Sequence, residues 1–184
     1  MTEITPEEQK KYEDYYNIVK ICRESKDYDN AIAHYNGIID MYKDNPDVYY
    51  NRGSLYNCKG DHESAIADYS MAIKLDPDDA DTYNVRGIQY FLINDYDRAI
   101  SDFSIAMMRL PPNKKKALMH FPDGRLDHPY LIRLYFNRSF VYKIIGEIEK
   151  SIMDKNVINI FRKKPVFYRT NRFDTNTILK FNLF

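Results

Sequence analysis

The sequence is poor in glycine and cysteine and carries no net charge. Six glycines in 184 residues leave no material for a phosphate-cradling loop, since turns, helix contacts and one insertion account for them. Two cysteines, Cys22 and Cys58, make no disulfide framework. Neither is expected to have a histidine partner, so both read as small packing residues rather than nucleophiles. No HExxH and no paired-cysteine metal motif occurs. The expectation is a protein without catalytic residues, metal or cofactor. Basic and acidic side chains balance at 27 each, so the chain as a whole is no electrostatic partner for nucleic acid or membrane. No run approaches the ~18 apolar residues of a membrane span. The start, MTEITPEEQKKYEDYY, has no basic region followed by an apolar core. No secretory signal is therefore expected, and the cytoplasm is the expected compartment.

What is present is enough for one domain with a continuous core: 44% of the residues are hydrophobic. The charge balance conceals a gradient. Residues 1–50 hold 11 acidic and 6 basic side chains, and residues 131–184 hold 4 and 11. Such asymmetry can steer a partner or orient copies head to tail, although a solvated surface also accounts for it.

The dominant pattern is a period of 34 residues. Shifted by that interval, Tyr49, Arg52, Gly53 and Tyr56 fall on Tyr83, Arg86, Gly87 and Tyr90. Ala65, Ile66, Asp68, Ala72 and Pro77 fall on Ala99, Ile100, Asp102, Ala106 and Pro111, while Leu75 stops one place short of Leu110. Apolar residues inside each unit recur at helical spacing: Tyr49, Leu55 and Tyr56, then Ile66, Tyr69 and Ile73. Gly60-Asp61, Asn94-Asp95 and Gly146-Glu147 stand between the two helices. Glycine or asparagine ends one helix there in a left-handed conformation, and aspartate caps the next. Pro77 and Pro111 stop the second helix. Thr5-Pro6-Glu7-Glu8 reads as the cap and acidic first turn of an opening helix that reaches about Ser25.

These residues resemble the tetratricopeptide repeat family, whose unit carries an aromatic, a small residue, a tyrosine, then alanine, aromatic, alanine and proline. Residues 46–79 and 80–113 fit at nearly every place; 12–45 and 132–165 fit more loosely, as terminal repeats facing water do. The resemblance implies an all-α, right-handed solenoid of helical hairpins with about four repeats over residues 1–165. Residues 114–131 would be an insertion, and 166–184 a tail.

Arg52, Arg86 and Arg138 take the seventh place of units two to four, each followed 16 residues later by Asp68, Asp102 or Asp154. The first unit has Ile18 and His34 instead. Loss of both partners together predicts an ion pair across the two helices of each complete unit. His120, His128, Asp123 and Asp127 in the insertion match no metal-ligand spacing. The insertion also holds Lys114–Lys116 and the turn Pro122-Asp123-Gly124; it reads as a surface loop or as part of a binding face. The Phe-rich, basic tail would cover the last helix pair or lie in a groove.

The resemblance implies that the first helix of each unit lines a concave groove. The candidate partner-binding residues are then Tyr16, Lys20, Tyr50, Ser54, Asn57, Asn84, Ile88, Phe91, Arg133, Phe136, Phe140 and Lys143. The groove would be polar at its front and apolar at its back. It would suit a protein or peptide segment with bulky apolar side chains, unless the insertion or tail fills it. A subset of the family grips chaperone C-terminal carboxylates. Its positions here hold Tyr16, Lys20, Asn51, Asp81 and Val85, of which only Asn51 fits, and Asp81 would repel a carboxylate. The expected function is a protein-interaction scaffold. A self-assembling structural protein using its tail or oppositely charged ends is the alternative, and RNA binding through Lys114–Lys116 and Arg162–Arg172 a weaker one.

Overall fold

The structure, a computed structural model, describes residues 10, 13–14, 17–18, 21, 24–110, 119–120, 126–127 and 129–163. Among these residues seven complete helices follow one another: α1 (Tyr28–Met41), α2 (Pro46–Lys59), α3 (His62–Leu75), α4 (Ala80–Leu92), α5 (Tyr96–Arg109), α6 (Pro129–Ile144) and α7 (Ile148–Lys163). The described residues between Lys10 and Glu24 are helical as well, and they supply the helix that precedes α1. The insertion contributes a two-residue antiparallel ladder, β1 (Met119–His120) with β2 (Leu126–Asp127). Pro129 begins α6 three places before the repeat count does, inside the segment read as an insertion.

The turns within the hairpins follow one rule. Lys26, Gly60, Asn94 and Gly146 take positive φ of 61°, 81°, 62° and 82°. Only glycine does this without steric cost, and asparagine at a low one; the strained Lys26 was not foreseen. The backbone N–H of Asp61, Asp95 and Glu147 then reaches back to the carbonyl of Tyr56, Tyr90 and Tyr142 at 2.9, 2.8 and 2.9 Å. Asp27, Asp61 and Asp95 accept the N–H of Asn30, Ser64 and Arg98, each cap contributing about 1 kcal/mol. The bonds from Ser64 hold the Asp61 carboxyl below the usual range.

Small residues set how closely the two helices of a hairpin approach. A β-carbon on Gly53 would lie 2.9 Å from Tyr69 Cε1, and on Gly87 2.9 Å from Phe103 Cε1. Both rings are almost fully buried and have nowhere to move. The fourth unit has Ser139 at this place, and Lys155 where the ring would be. The β-carbon is admitted because the ring is gone. Tyr69 and Phe103, with Ala72, Ala99 and Ala106, make the seam of the hairpins. Leu134 and Val141 of α6 join the cluster around Phe103, so the core passes unbroken from the third unit into the fourth despite the insertion between them.

The arginine–aspartate pairs form as the spacing predicts, and they do more than pair. Arg86 donates from Nε and Nη2 to both carboxylate oxygens of Asp102, at 2.8 and 2.9 Å. Arg52 meets Asp68 at 2.8 and 2.6 Å, and Arg138 meets Asp154 at 2.9 and 2.8 Å, in the same geometry. The remaining Nη1 reaches the second helix of the preceding unit: Arg52 to Asn36 Oδ1 at 2.7 Å, Arg86 to Ser70 Oγ at 3.0 Å, Arg138 to Ser104 Oγ at 2.9 Å. The guanidinium also lies by tyrosine rings one turn either side, 5.6 and 5.7 Å from Tyr83 and Tyr90 for Arg86, and 5.6 and 5.8 Å from Tyr135 and Tyr142 for Arg138. One side chain therefore joins three helices. Burial pulls the Arg86 and Arg138 pKa down, and the aspartate's bonds and charge outweigh it, so both guanidiniums stay charged.

The three aspartates are buried, so losing an arginine strands a charge. Arg86→Ala and Asp102→Ala should each cost about 3–5 kcal/mol in urea denaturation, and the double variant far less than their sum. Additive losses would mean that the pair contributes no coupling.

Candidate functional site

The described candidate residues sit on α2, α4 and α6, the first helices of their hairpins. Tyr16 and Lys20 lie outside the described residues. At the N-terminal ends of the three helices, Tyr50 of α2 lies within the electrostatic field of Asp81 of α4 and Arg133 of α6. Burial raises the Tyr50 pKa, and the Asp81 and Asp79 charges push it further. Tyr130 donates its hydroxyl to the Ala80 carbonyl at 3.0 Å, and the Arg133 guanidinium stands 4.8 Å from its ring centre. Desolvation, with the Asp81 carboxylate beside it, raises the Tyr130 pKa as well. With both raised above the ordinary phenol range, the two hydroxyls stay protonated and can donate a hydrogen bond at neutral pH.

Farther along, Asn137 of α6 donates to Asn84 Oδ1 of α4 at 3.2 Å. Asn84 is 2% exposed, so its place is in the joint between the two helices. Ile88 and Phe91 are half-buried and pack against the core cluster. Phe91 meets Phe140 edge to face, centroids 5.7 Å apart. Phe140 remains 46% exposed, and Phe136, one turn before it, 59% exposed. Leu92 of α4 and Ile144 of α6 are also exposed. Arg133 and Lys143 are exposed, flanking the two phenylalanines along α6. Ser54 and Asn57 on α2 are half-buried. Cys58, expected as a packing residue, is exposed.

The surface thus changes character along the stack. Hydroxyl, amide and carboxylate groups dominate on α2 and the start of α4. Bulky apolar side chains dominate on the end of α4 and on α6. Sequence reasoning missed Tyr130 and Asn137. The first lies outside the repeat count; Pro129, a favoured first residue of a helix, was the signal that α6 starts early. The second follows a groove position; Asn51 holds the same place in the second unit, and that recurrence was the signal. Among the described residues no group of three or more histidine, cysteine, aspartate or glutamate side chains is placed to hold a metal ion. No helix among them is long and apolar enough to cross a membrane.

Antiparallel helical hairpins, tied by an arginine in each of units two to four, define a helical-hairpin solenoid. Three tetratricopeptide repeat family profiles match the chain, over residues 15–45, 46–79 and 69–101. The chain belongs to the tetratricopeptide repeat family. No curated protein sequence matches it. Among solved structures it is similar to MamA (41-end) from Desulfovibrio magneticus RS-1, with 17% identity over 86% of this chain and 77% of that one and a TM-score of 0.67. It is similar to the Yersinia enterocolitica type III secretion chaperone SycD in complex with a peptide of the translocator YopD (14% identity, 73% and 94% coverage, TM-score 0.60). It is also similar to the TPR2B domain of yeast Sti1 in a complex with pHsp70 (20% identity, 71% and 97% coverage, TM-score 0.57). Identities this low carry the fold and nothing finer.

Two groove positions should separate in urea denaturation. Phe136→Ser should leave stability within about 0.5 kcal/mol, as at other exposed sites. Asn84→Leu should cost about 1–3 kcal/mol by leaving the Asn137 amide unpaired. Equal costs would mean that Phe136 is held by packing.

Proposed function

We propose that this chain is a protein-interaction module that seats a peptide or protein segment across α2, α4 and α6. Bulky apolar side chains of the segment would rest on Phe136 and Phe140, and its polar groups would meet Tyr50, Ser54, Asn57 and Arg133. The observation that carries the reading is the pair Phe136 and Phe140, one helical turn apart and both largely exposed, beside exposed Leu92 and Ile144. Apolar side chains kept in water on one face are characteristic of contact sites. A segment with two or three apolar anchors at matching spacing would cover them. Support comes from the solved structures of the same fold whose complexes hold a translocator peptide and pHsp70.

The partner differs from a chaperone terminus. Asp81 stands at the polar end of the surface, beside Tyr50 and Tyr130. There it would repel the terminal carboxylate that such recognition requires.

A displayed peptide library panned on the full chain tests the proposal. Selected sequences should carry two or more bulky apolar residues, and Phe136→Asp with Phe140→Asp should weaken their binding at least about tenfold, since central apolar anchors dominate such contacts. Selected peptides that bind the double variant with unchanged affinity would overturn it.

A further inference from the structure

The arginine contacts leave one open position at the C-terminal end of the stack. Each second helix faces the following unit with a stripe of three residues spaced four apart. In α1 the stripe is Tyr28, Ile32 and Asn36; in α3 His62, Ile66 and Ser70; in α5 Tyr96, Ile100 and Ser104. At the first and second places, His62 Nδ1 meets Gln89 Oε1 of the next unit at 2.9 Å, and Ile66, Tyr96 and Ile100 lie against the core cluster that runs through the third and fourth units. The third place accepts the next unit's arginine, at Asn36, Ser70 and Ser104. In α7 the same stripe is Ile148, Ile152 and Asn156. Ile148 is 52% exposed and Ile152 50% exposed, and Asn156 is exposed with no hydrogen-bond partner among the described residues.

We infer that Arg172 is the missing donor, and that the segment 164–184 of the same chain seats on this stripe as a partial fifth unit. The register is set by the contacts already in the structure. Arg52 follows its acceptor Asn36 by 16 residues, and Arg86 follows Ser70 by 16. Arg172 follows Asn156 by the same interval. It also falls on the seventh place of the unit that would begin at residue 166. Reach is sufficient. From Asn156 to Lys163 α7 runs on for about 10 Å, and the nine residues from Lys163 to Arg172 span up to ~30 Å when extended. Phe167, Tyr168 and Phe173 flank the arginine and supply apolar surface for Ile148 and Ile152. The first unit of a second copy is the poorer occupant, because it carries Ile18 in the arginine's place and cannot donate to Asn156. Around the arginine the fit departs from the complete units at three places: Arg169 and Asn176 stand where they have tyrosine, and Phe173 where they have glycine or serine; the aspartate's place, 16 residues on, falls past residue 184.

Hydrogen exchange on the full chain, its Asn156→Ala, Arg172→Ala and double variants, and a chain ending at Pro165 tests this, with light scattering over a dilution series. Arg172→Ala should speed exchange of the α7 amides about tenfold and leave α2–α4 unchanged; Asn156→Ala should do the same, and the double variant no more than either. The shortened chain should match Arg172→Ala. If it does not fold, the point variants still decide. Unchanged α7 exchange in Arg172→Ala, or independent effects of the two substitutions, would overturn the inference. So would α7 protection that falls on dilution of the full chain, which would place the segment on a second copy.

Discussion

The stack depends on one side chain per unit. The seventh-place arginine has five N–H donors in a fixed plane, and the structure directs two to the aspartate of its own hairpin and one to the preceding hairpin, with two tyrosine rings beside the guanidinium. Taking a carboxylate out of water costs several kcal/mol, and the cost is met only when the geometry is good. The buried aspartate therefore tolerates one placement of the arginine, and that placement fixes the angle within a hairpin and the offset between hairpins together. The small residue next to the arginine belongs to the same constraint. Gly53 and Gly87 follow their arginines directly, and the rings they admit, Tyr69 and Phe103, follow the aspartates directly.

The candidate surface is a consequence of that offset. With successive hairpins held at a constant step, equivalent faces of α2, α4 and α6 come side by side, and residues far apart in sequence meet. Asn84 and Asn137, 53 apart, join across α4 and α6, and so do Phe91 and Phe140. The 18-residue insertion between the third and fourth units leaves the step intact: Arg138 still reaches Ser104, now 34 residues away instead of 16. What differs between units is what the shared scaffold displays, polar on α2 and aromatic on α6. Function on such a fold is a property of the displayed residues rather than of the fold.

The hairpins, their turns and the arginine–aspartate pairs were legible because each is a repetition of an unusual residue: a charge, a proline, a glycine at a turn. The third contact was not. Asn36, Ser70 and Ser104 recur at the right interval, but neutral polar residues look alike whether they face water or accept a buried guanidinium. The tyrosines were read as part of the apolar pattern, and their place beside the arginine follows only from the distances between guanidinium and rings. Lys26 hid a positive φ because no side chain announces that conformation in a lysine. On the candidate surface, position within the unit told which helix carries a residue and not how deeply it is buried. Asn84 and Phe136 hold the same place in successive units, one 2% and the other 59% exposed, because α6 packs over Asn84 and no described helix packs over Phe136.

The most direct test of the central claim is hydrogen exchange on Arg138→Met, which keeps much of the side chain's bulk and loses every donor. If the arginine joins three helices, α6 and α7 should lose protection together and α5 should open beside Ser104, while α2 and α3, held by Arg52, should keep theirs. Loss of protection confined to the turn of helix around residue 138, or none at all, would show that apolar packing alone sets the stack and that the arginines are passengers in it.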